Sequence, residues 1–305
     1  MGLFSVHTLR ALMVVAAAGV AATSSATHAD SVIREYHPSG RGDIGLRYIV
    51  ARPDDSDRRK LPVWILQTGD GEIMQSFQPS AYAFLARKLA NRYDVMVVWP
   101  ELRREYYSGK PKRFCQLDYF HRIDDLNALT AIVRGFKGIH LGRLFYIGYS
   151  GGADVATIAA NRRSDIAAVA TLGGGLIDLM GYLKDTNDTS WVAERMANEC
   201  VSGHYNERSG LFWKQFLNTH LYEEILKSRI PYLALLGGDD KEMMPEVHRP
   251  YARELRRQKS DFVFGVIPGL GHIPISIGNI LNVYEPWDRI SSWTERAPST
   301  AKASD

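Results

Sequence analysis

Leu144-Phe145-Tyr146-Ile147-Gly148-Tyr149-Ser150-Gly151-Gly152-Ala153-Asp154-Val155 is the stretch on which the reading of this sequence turns. Its first four residues form a short apolar run of the kind a buried strand supplies, and the residues from Ala153 to about Asn161 read as a helix. Between them stands a Gly-x-Ser-x-Gly turn. Glycines on either side of a serine permit a turn sharp enough to push it into a strained, exposed position between strand and helix. A bare Gly-x-Ser-x-Gly match is common by chance, so the strand before it and the helix after it carry the weight. The alternative is a plain turn serine.

The same alternation extends outward in both directions. Toward the N-terminus, Gly45 to Val50 reads as an early strand and Leu61 to Gln67 as a buried one, with a charged turn from Pro53 to Lys60 between them. Residues 81 to 91 carry apolar positions at helical spacing (Tyr82, Leu85, Ala86, Leu89), and Val95 to Trp99 is another short apolar run. A helix is expected over about 119–136 and a strand near 166–172. Toward the C-terminus come a strand at 232–236, a helix over about 246–258, a strand at 262–267 and an amphipathic helix over about 282–294. Alternating β and α elements imply an α/β fold, with a mostly parallel central sheet flanked by helices on both faces. From Gly173 to Arg229 the rhythm gives way to polar, irregular and helical pieces, read as a helical cap inserted over the sheet at about 173–230. No internal repeat or linker divides the chain, so residues 30–305 are expected to form one domain with that insertion.

A serine hydroxyl is a poor nucleophile until a base takes its proton, a third group orients the base and N–H donors receive the oxyanion. Asp239 and Asp240 follow the strand at 232–236 and the pair Gly237-Gly238, where a carboxylate can accept a hydrogen bond from such a base. Asp240 is the first choice and Asp239 the second; the other is then a loop acid or a cap for the helix beginning near Pro245. His272 lies in Pro268-Gly269-Leu270-Gly271-His272-Ile273-Pro274, just beyond the last strand, and completes the chain order Ser, Asp, His. The remaining histidines lack that context and read as surface or packing residues. No metal-ligand spacing and no phosphate-binding glycine loop occurs, so neither metal nor cofactor is expected.

Composition narrows the function classes. With 45% hydrophobic and 23% charged residues the chain can bury a full core. Lys and Arg total 37 against 34 acids, and a net charge of +3 gives no ground for a nucleic-acid partner. At the N-terminus, His7 and Arg10 precede the apolar run Ala11 to Val20, and small and polar residues follow through Ala29. This reads as a signal peptide over residues 1–29, with Thr27-His28-Ala29 at the cleavage site and a mature chain in a periplasm or outside the cell. The run is short of the about 20 apolar residues that span a bilayer, which sets the alternative of a membrane anchor behind it. In an oxidising compartment Cys115 and Cys200 can pair as an intramolecular disulfide; two buried thiols are the alternative.

Residue by residue, the segments resemble the α/β-hydrolase superfamily: Gly148 to Gly152 match its nucleophile elbow, Gly237 to Asp240 its acid loop and Gly271-His272 its histidine loop. The resemblance runs from about Leu61 to His272. It implies the α/β-hydrolase fold, a Ser150-His272-Asp240 triad, and an oxyanion hole made by the backbone N–H groups of Gly151 and Asp70. Gln67-Thr68-Gly69-Asp70-Gly71 stands where many members carry a His-Gly pair, and the alternative there is a tight turn without a donor role. An inward-pointing Asp70 side chain would oppose an anionic intermediate. Gly69-Asp70-Gly71 and Ala153-Asp154-Val155 are also similar to a narrower subgroup, the periplasmic VirJ-type hydrolases. That similarity implies a lipid ester, an aminoacyl-phosphatidylglycerol, met at a membrane surface.

Three functions compete on these residues: an esterase acting on a small or lipid ester, a peptidase built on the same triad, and a non-catalytic binding protein on this fold. The complete Ser, Asp, His set argues against the last. Arg103, Arg104, Lys110, Lys112 and Arg113, interleaved with Tyr106 and Tyr107, form either a basic rim for an acidic substrate or a solvated charged loop. Trp191, Phe212, Trp213 and Phe216 either line an acyl pocket or pack the insertion onto the sheet. No acidic pair dedicated to a peptide amino terminus is recognisable, which favours the esterase.

Overall fold

Most of the apolar runs become buried strands of a single sheet, Leu61–Gln67 and Met96–Pro100 over nearly their whole length. The computed structural model describes residues 32–36, 45–54, 60–69, 79–102, 119–178, 181, 210–272 and 284–300. Its strands are β1 (Val32–Tyr36), β2 (Leu46–Ala51), β3 (Leu61–Gln67), β4 (Met96–Pro100), β5 (Ile139–Tyr149), β6 (Ala168–Leu172), β7 (Tyr232–Gly237) and β8 (Phe262–Ile267). Its helices are α1 (Pro79–Tyr93), α2 (Phe120–Val133), α3 (Gly151–Asn161), α4 (Gly210–Leu217), α5 (Leu221–Lys227), α6 (Pro245–Gln258) and α7 (Glu285–Arg296).

The sheet order is β1-β2-β4-β3-β5-β6-β7-β8. β1 pairs antiparallel with β2, and β2 antiparallel with β4; every later pairing is parallel. Parallel neighbours need a crossover, and a described helix lies between each consecutive pair of strands from β3 to β8. After β3 the chain moves outward to β4, then returns to the other side of β3 to lay down β5 and continues away from it. That reversal is a topological switch point, and in open α/β sheets ligands bind beyond the carboxyl ends of the strands at such a point.

Strand side chains alternate between faces, and two cores result. Val63 and Ile65 of β3 join the core under α2, α3, α5 and α6, whereas Trp64 and Leu66 join the core under α1 and α7. β1 was not expected: Val32-Ile33-Arg34-Glu35-Tyr36 has little apolar pattern and belongs to the sheet through its backbone register with β2, Val32 facing Val50 and Tyr36 facing Leu46. β5 starts five residues earlier than its apolar run, since His140, Gly142 and Arg143 interrupt the pattern while Ile139 still faces Leu61 across a register shift. α7 runs over Glu285–Arg296, two to three residues later than the helix expected at 282–294.

Within the segment read as a cap, α5 lies against α3, where the Asn161 side-chain amide donates to the Glu224 carbonyl at 2.8 Å. Residues 182–209 of that segment, Trp191 and Cys200 among them, lie outside the described residues, as do residues 1–29, Cys115 and the charged loop 103–113. Among the described residues no helix is long and apolar enough to cross a membrane.

Candidate active site

β5 ends at Tyr149 and α3 begins at Gly151, so one residue, Ser150, makes the whole turn between them. It does so at φ 48° and ψ −130°, a conformation that L side chains rarely adopt. The Ser150 N–H donates to the Leu172 carbonyl at the end of β6 (2.9 Å), and its carbonyl accepts from the Ala153 N–H (2.8 Å). The flanking glycines serve a different purpose from the one their sequence pattern suggests. Neither has a positive φ; the left-handed turn belongs to the serine itself. What both lack is room: a Cβ on Gly148 would lie 2.5 Å from the Ala153 Cα, and one on Gly152 would lie 2.3 Å from the Gln67 carbonyl oxygen. The elbow therefore packs directly on the end of β3.

His272 follows β8 and reaches back over the elbow. Its Nε2 lies 3.0 Å from the Ser150 Oγ, and its Nδ1 lies 2.8 Å from the Asp240 Oδ2. The Tyr149 hydroxyl donates to the His272 carbonyl at 2.8 Å, which ties the histidine loop to the residue before the serine. Burial raises the pKa of the Tyr149 phenol, with the Glu242 and Asp240 charges acting in the same direction, so this donor keeps its proton.

Asp240 is buried, with its Oδ1 accepting the N–H groups of Glu242 (2.8 Å) and Met243 (2.7 Å). Burial pushes its carboxyl pKa up, but the hydrogen bonds from His272 and from these two amides outweigh that and hold it below the ordinary aspartate range. An ionised Asp240 takes the proton on Nδ1 as its hydrogen-bond donor and leaves Nε2 with a lone pair facing the serine hydroxyl. Asp239 is exposed instead, and only its backbone N–H joins the site, donating to the Leu270 carbonyl at 2.9 Å.

The remaining parts are less complete. Gly151 is the first residue of α3, where backbone N–H groups have no intrahelical acceptor and the helix dipole favours negative charge. Gly69 touches the elbow so closely that a Cβ there would lie 2.6 Å from the Ser150 Cβ. The buried Arg122 guanidinium of α2 donates to the Thr68 carbonyl, fixing the chain as it leaves β3. Asp70, expected beside Gly151 as the second oxyanion donor, lies outside the described residues. Phe212, Trp213 and Phe216 cluster around Tyr119, with Phe212 and Phe216 ring centroids 5.6 and 5.2 Å from it. Of the two readings open for these aromatics, packing describes Phe212, which is buried in the core.

One residue of the site went unread in the sequence. The Glu242 carboxylate is exposed, yet its Oε2 lies 3.3 Å from the His272 Nε2. Its place two residues after Asp240, in the same loop, was the available signal.

No protein-family model matches the chain, and no curated protein matches it in sequence. Solved structures do. A protein assigned as a dienelactone hydrolase from Klebsiella pneumoniae superposes with a TM-score of 0.59, at 15% identity over 87% of this chain and 99% of that one. Est1E from Butyrivibrio proteoclasticus gives a TM-score of 0.56 at 13% identity over 87% of this chain and 96% of that one. An acylaminoacyl peptidase from Pyrococcus horikoshii gives 0.61 at 11% identity over 90% of this chain, which spans 43% of the peptidase. The chain has the α/β-hydrolase fold.

Proposed function

We propose that this protein is a serine hydrolase that cleaves carboxylic esters through an acyl-enzyme on Ser150. The observation that carries the reading is the continuous hydrogen-bonded line from Ser150 through His272 to the buried Asp240, at 3.0 and 2.8 Å, at the switch point between β3 and β5. In the first step the Nε2 of His272 takes the serine proton as Oγ bonds to the ester carbonyl carbon. The carbonyl oxygen becomes an oxyanion facing the Gly151 N–H and, by the family resemblance, the backbone of Asp70. The imidazolium, held by Asp240, then passes its proton to the alkoxy oxygen as the C–O bond breaks, leaving acyl-Ser150 and a free alcohol. Water repeats the sequence on the acyl-enzyme and releases the acid.

Esters are favoured over peptides by the extent of the structural likeness. The structures resembling nearly their whole length include Est1E, also seen with ferulic acid bound, whereas the acylaminoacyl peptidase is matched over less than half of its chain. An exported location rests on the apolar run Ala11 to Val20. The test is a panel of p-nitrophenyl esters set against aminoacyl-p-nitroanilides, with Ser150→Ala as the control. Ester turnover that Ser150→Ala lowers by at least about 10³-fold is expected. Turnover of the anilides alone would make the protein a peptidase, and ester turnover surviving in Ser150→Ala would remove the proposed nucleophile.

A further inference from the structure

Among the described residues, two carboxylates come within ion-pair reach of His272, and they meet opposite ends of the ring. Asp240 is buried against Nδ1, whereas the Glu242 side chain is two-thirds exposed and lies against Nε2. Asp240 is thereby committed to orienting the ring. Glu242 has a different placement. Its backbone N–H is fixed by the Asp240 Oδ1 at 2.8 Å, so its origin is held while its side chain stays two-thirds exposed beside Nε2. Nε2 is the atom that must hand a proton to the departing group, which therefore has to lie within hydrogen-bond reach of it. The acyl oxygen is turned the other way, toward the start of α3. A negative charge 3.3 Å from Nε2 thus stands beside the leaving group.

We propose that Glu242 is a specificity-determining residue, a carboxylate that selects esters whose alcohol or phenol carries a positive charge and disfavours those whose leaving group is anionic. The inference rests on the serine-hydrolase reading and adds to it the chemical class of the leaving group. A largely exposed carboxylate attracts a cation weakly, so the effect is a few-fold preference that salt screens.

The experiment compares three aryl acetates with one acyl group and different phenols: 3-(trimethylammonio)phenyl, its neutral isostere 3-tert-butylphenyl, and 3-carboxyphenyl. The ratio of kcat/KM for the cationic over the neutral ester is expected to fall about three- to fivefold from wild type to Glu242→Gln. Comparing ratios between the two proteins removes the intrinsic difference in phenol reactivity. In the wild type the same ratio is expected to decline as salt is raised. Glu246→Gln, which alters another exposed acid a few residues on, is expected to leave the ratio within about 1.5-fold, too little for a charge in direct contact. An unchanged ratio in Glu242→Gln overturns the inference. So does a Glu242→Gln effect that separates acetyl from aminoacyl esters of one phenol, which would place the carboxylate on the acyl side. A wild-type protein that turns over none of the three acetates overturns it too. In that case fluorophosphonate labelling of Ser150 shows whether the nucleophile stands without this selectivity, and absence of the label shows that the hydrolase reading has itself failed.

Discussion

At the scale of single residues, Ser150 occupies a backbone conformation that costs on the order of 1–3 kcal/mol for a non-glycine residue. It is kept there by β6, through the Leu172 carbonyl, and by glycines that let α3 sit on the end of β3. Asp240 and Asp239 adjoin in sequence but differ in role: one is buried and bonded to the imidazole, the other is exposed. Asp240→Asn removes the charge that selects the Nδ1–H tautomer and is expected to lower kcat by roughly 10⁴-fold. Asp239→Asn is expected to stay within about threefold, since a surface substitution leaves the imidazole untouched. Ester kinetics on both variants check this, with thermal unfolding to show that each is folded; the opposite ranking would give Asp239 the orienting role. The grouping of Ser150, Asp240 and His272 was legible in the sequence because each follows a strand and they come in the order Ser, Asp, His. The purpose of Gly148 and Gly152 was not, because a glycine's letter does not say whether the chain needs a positive φ or an empty volume. Glu242 was not legible either, since its carboxylate reaches Nε2 only through the fold of the 240–243 turn.

Between elements, α6 meets the segment that follows β6 through His248, which is fully buried and accepts the Leu176 N–H on Nδ1 at 3.3 Å. Burial pushes its pKa down to about 4, against the opposing pull of the Asp240 and Glu246 charges. In the unfolded chain the same imidazole takes a proton near 6.5, so between the two values the unfolded state binds more protons than the folded one. The stability from His248 is complete above about pH 6.5 and is lost as pH falls toward 4, at about 1.4 kcal/mol per unit and roughly 3 kcal/mol in all. His248→Gln keeps an acceptor for Leu176 and removes the titration. Its urea-unfolding free energy is expected to change about 2 kcal/mol less than wild type between pH 7 and pH 5. Identical pH dependence in the two proteins would contradict the assignment. Such joints are invisible to periodicity: His248 sits in a strongly charged helix and reads there as one more polar residue. β1 escaped for a related reason, because a strand held by backbone pairing leaves little trace in its side chains.

Over the whole molecule, the sheet separates two cores, and the elbow stands at the carboxyl ends of β3 and β5. α7 closes the second core with Trp287, buried and stacked 6.2 Å from Trp64 of β3. Trp287→Ala is expected to destabilise the protein by about 3–5 kcal/mol. Trp287→Phe is expected to cost clearly less, since among the described residues the buried indole N–H has no hydrogen-bond partner to lose. Urea unfolding of the two variants measures the difference, and equal losses would place the cost elsewhere than in packing. The alternation of apolar runs made the parallel sheet legible at this scale, while the sequence between β6 and α4 was not, because its polar stretches carry no period. The central claim, that this fold presents Ser150 as an activated nucleophile, is tested most directly by a fluorophosphonate probe followed by peptide mapping. One label per chain on the peptide containing Ser150, absent in Ser150→Ala and strongly slowed in His272→Ala, is the expected result; a label on any other residue, or none on the folded protein, would contradict it.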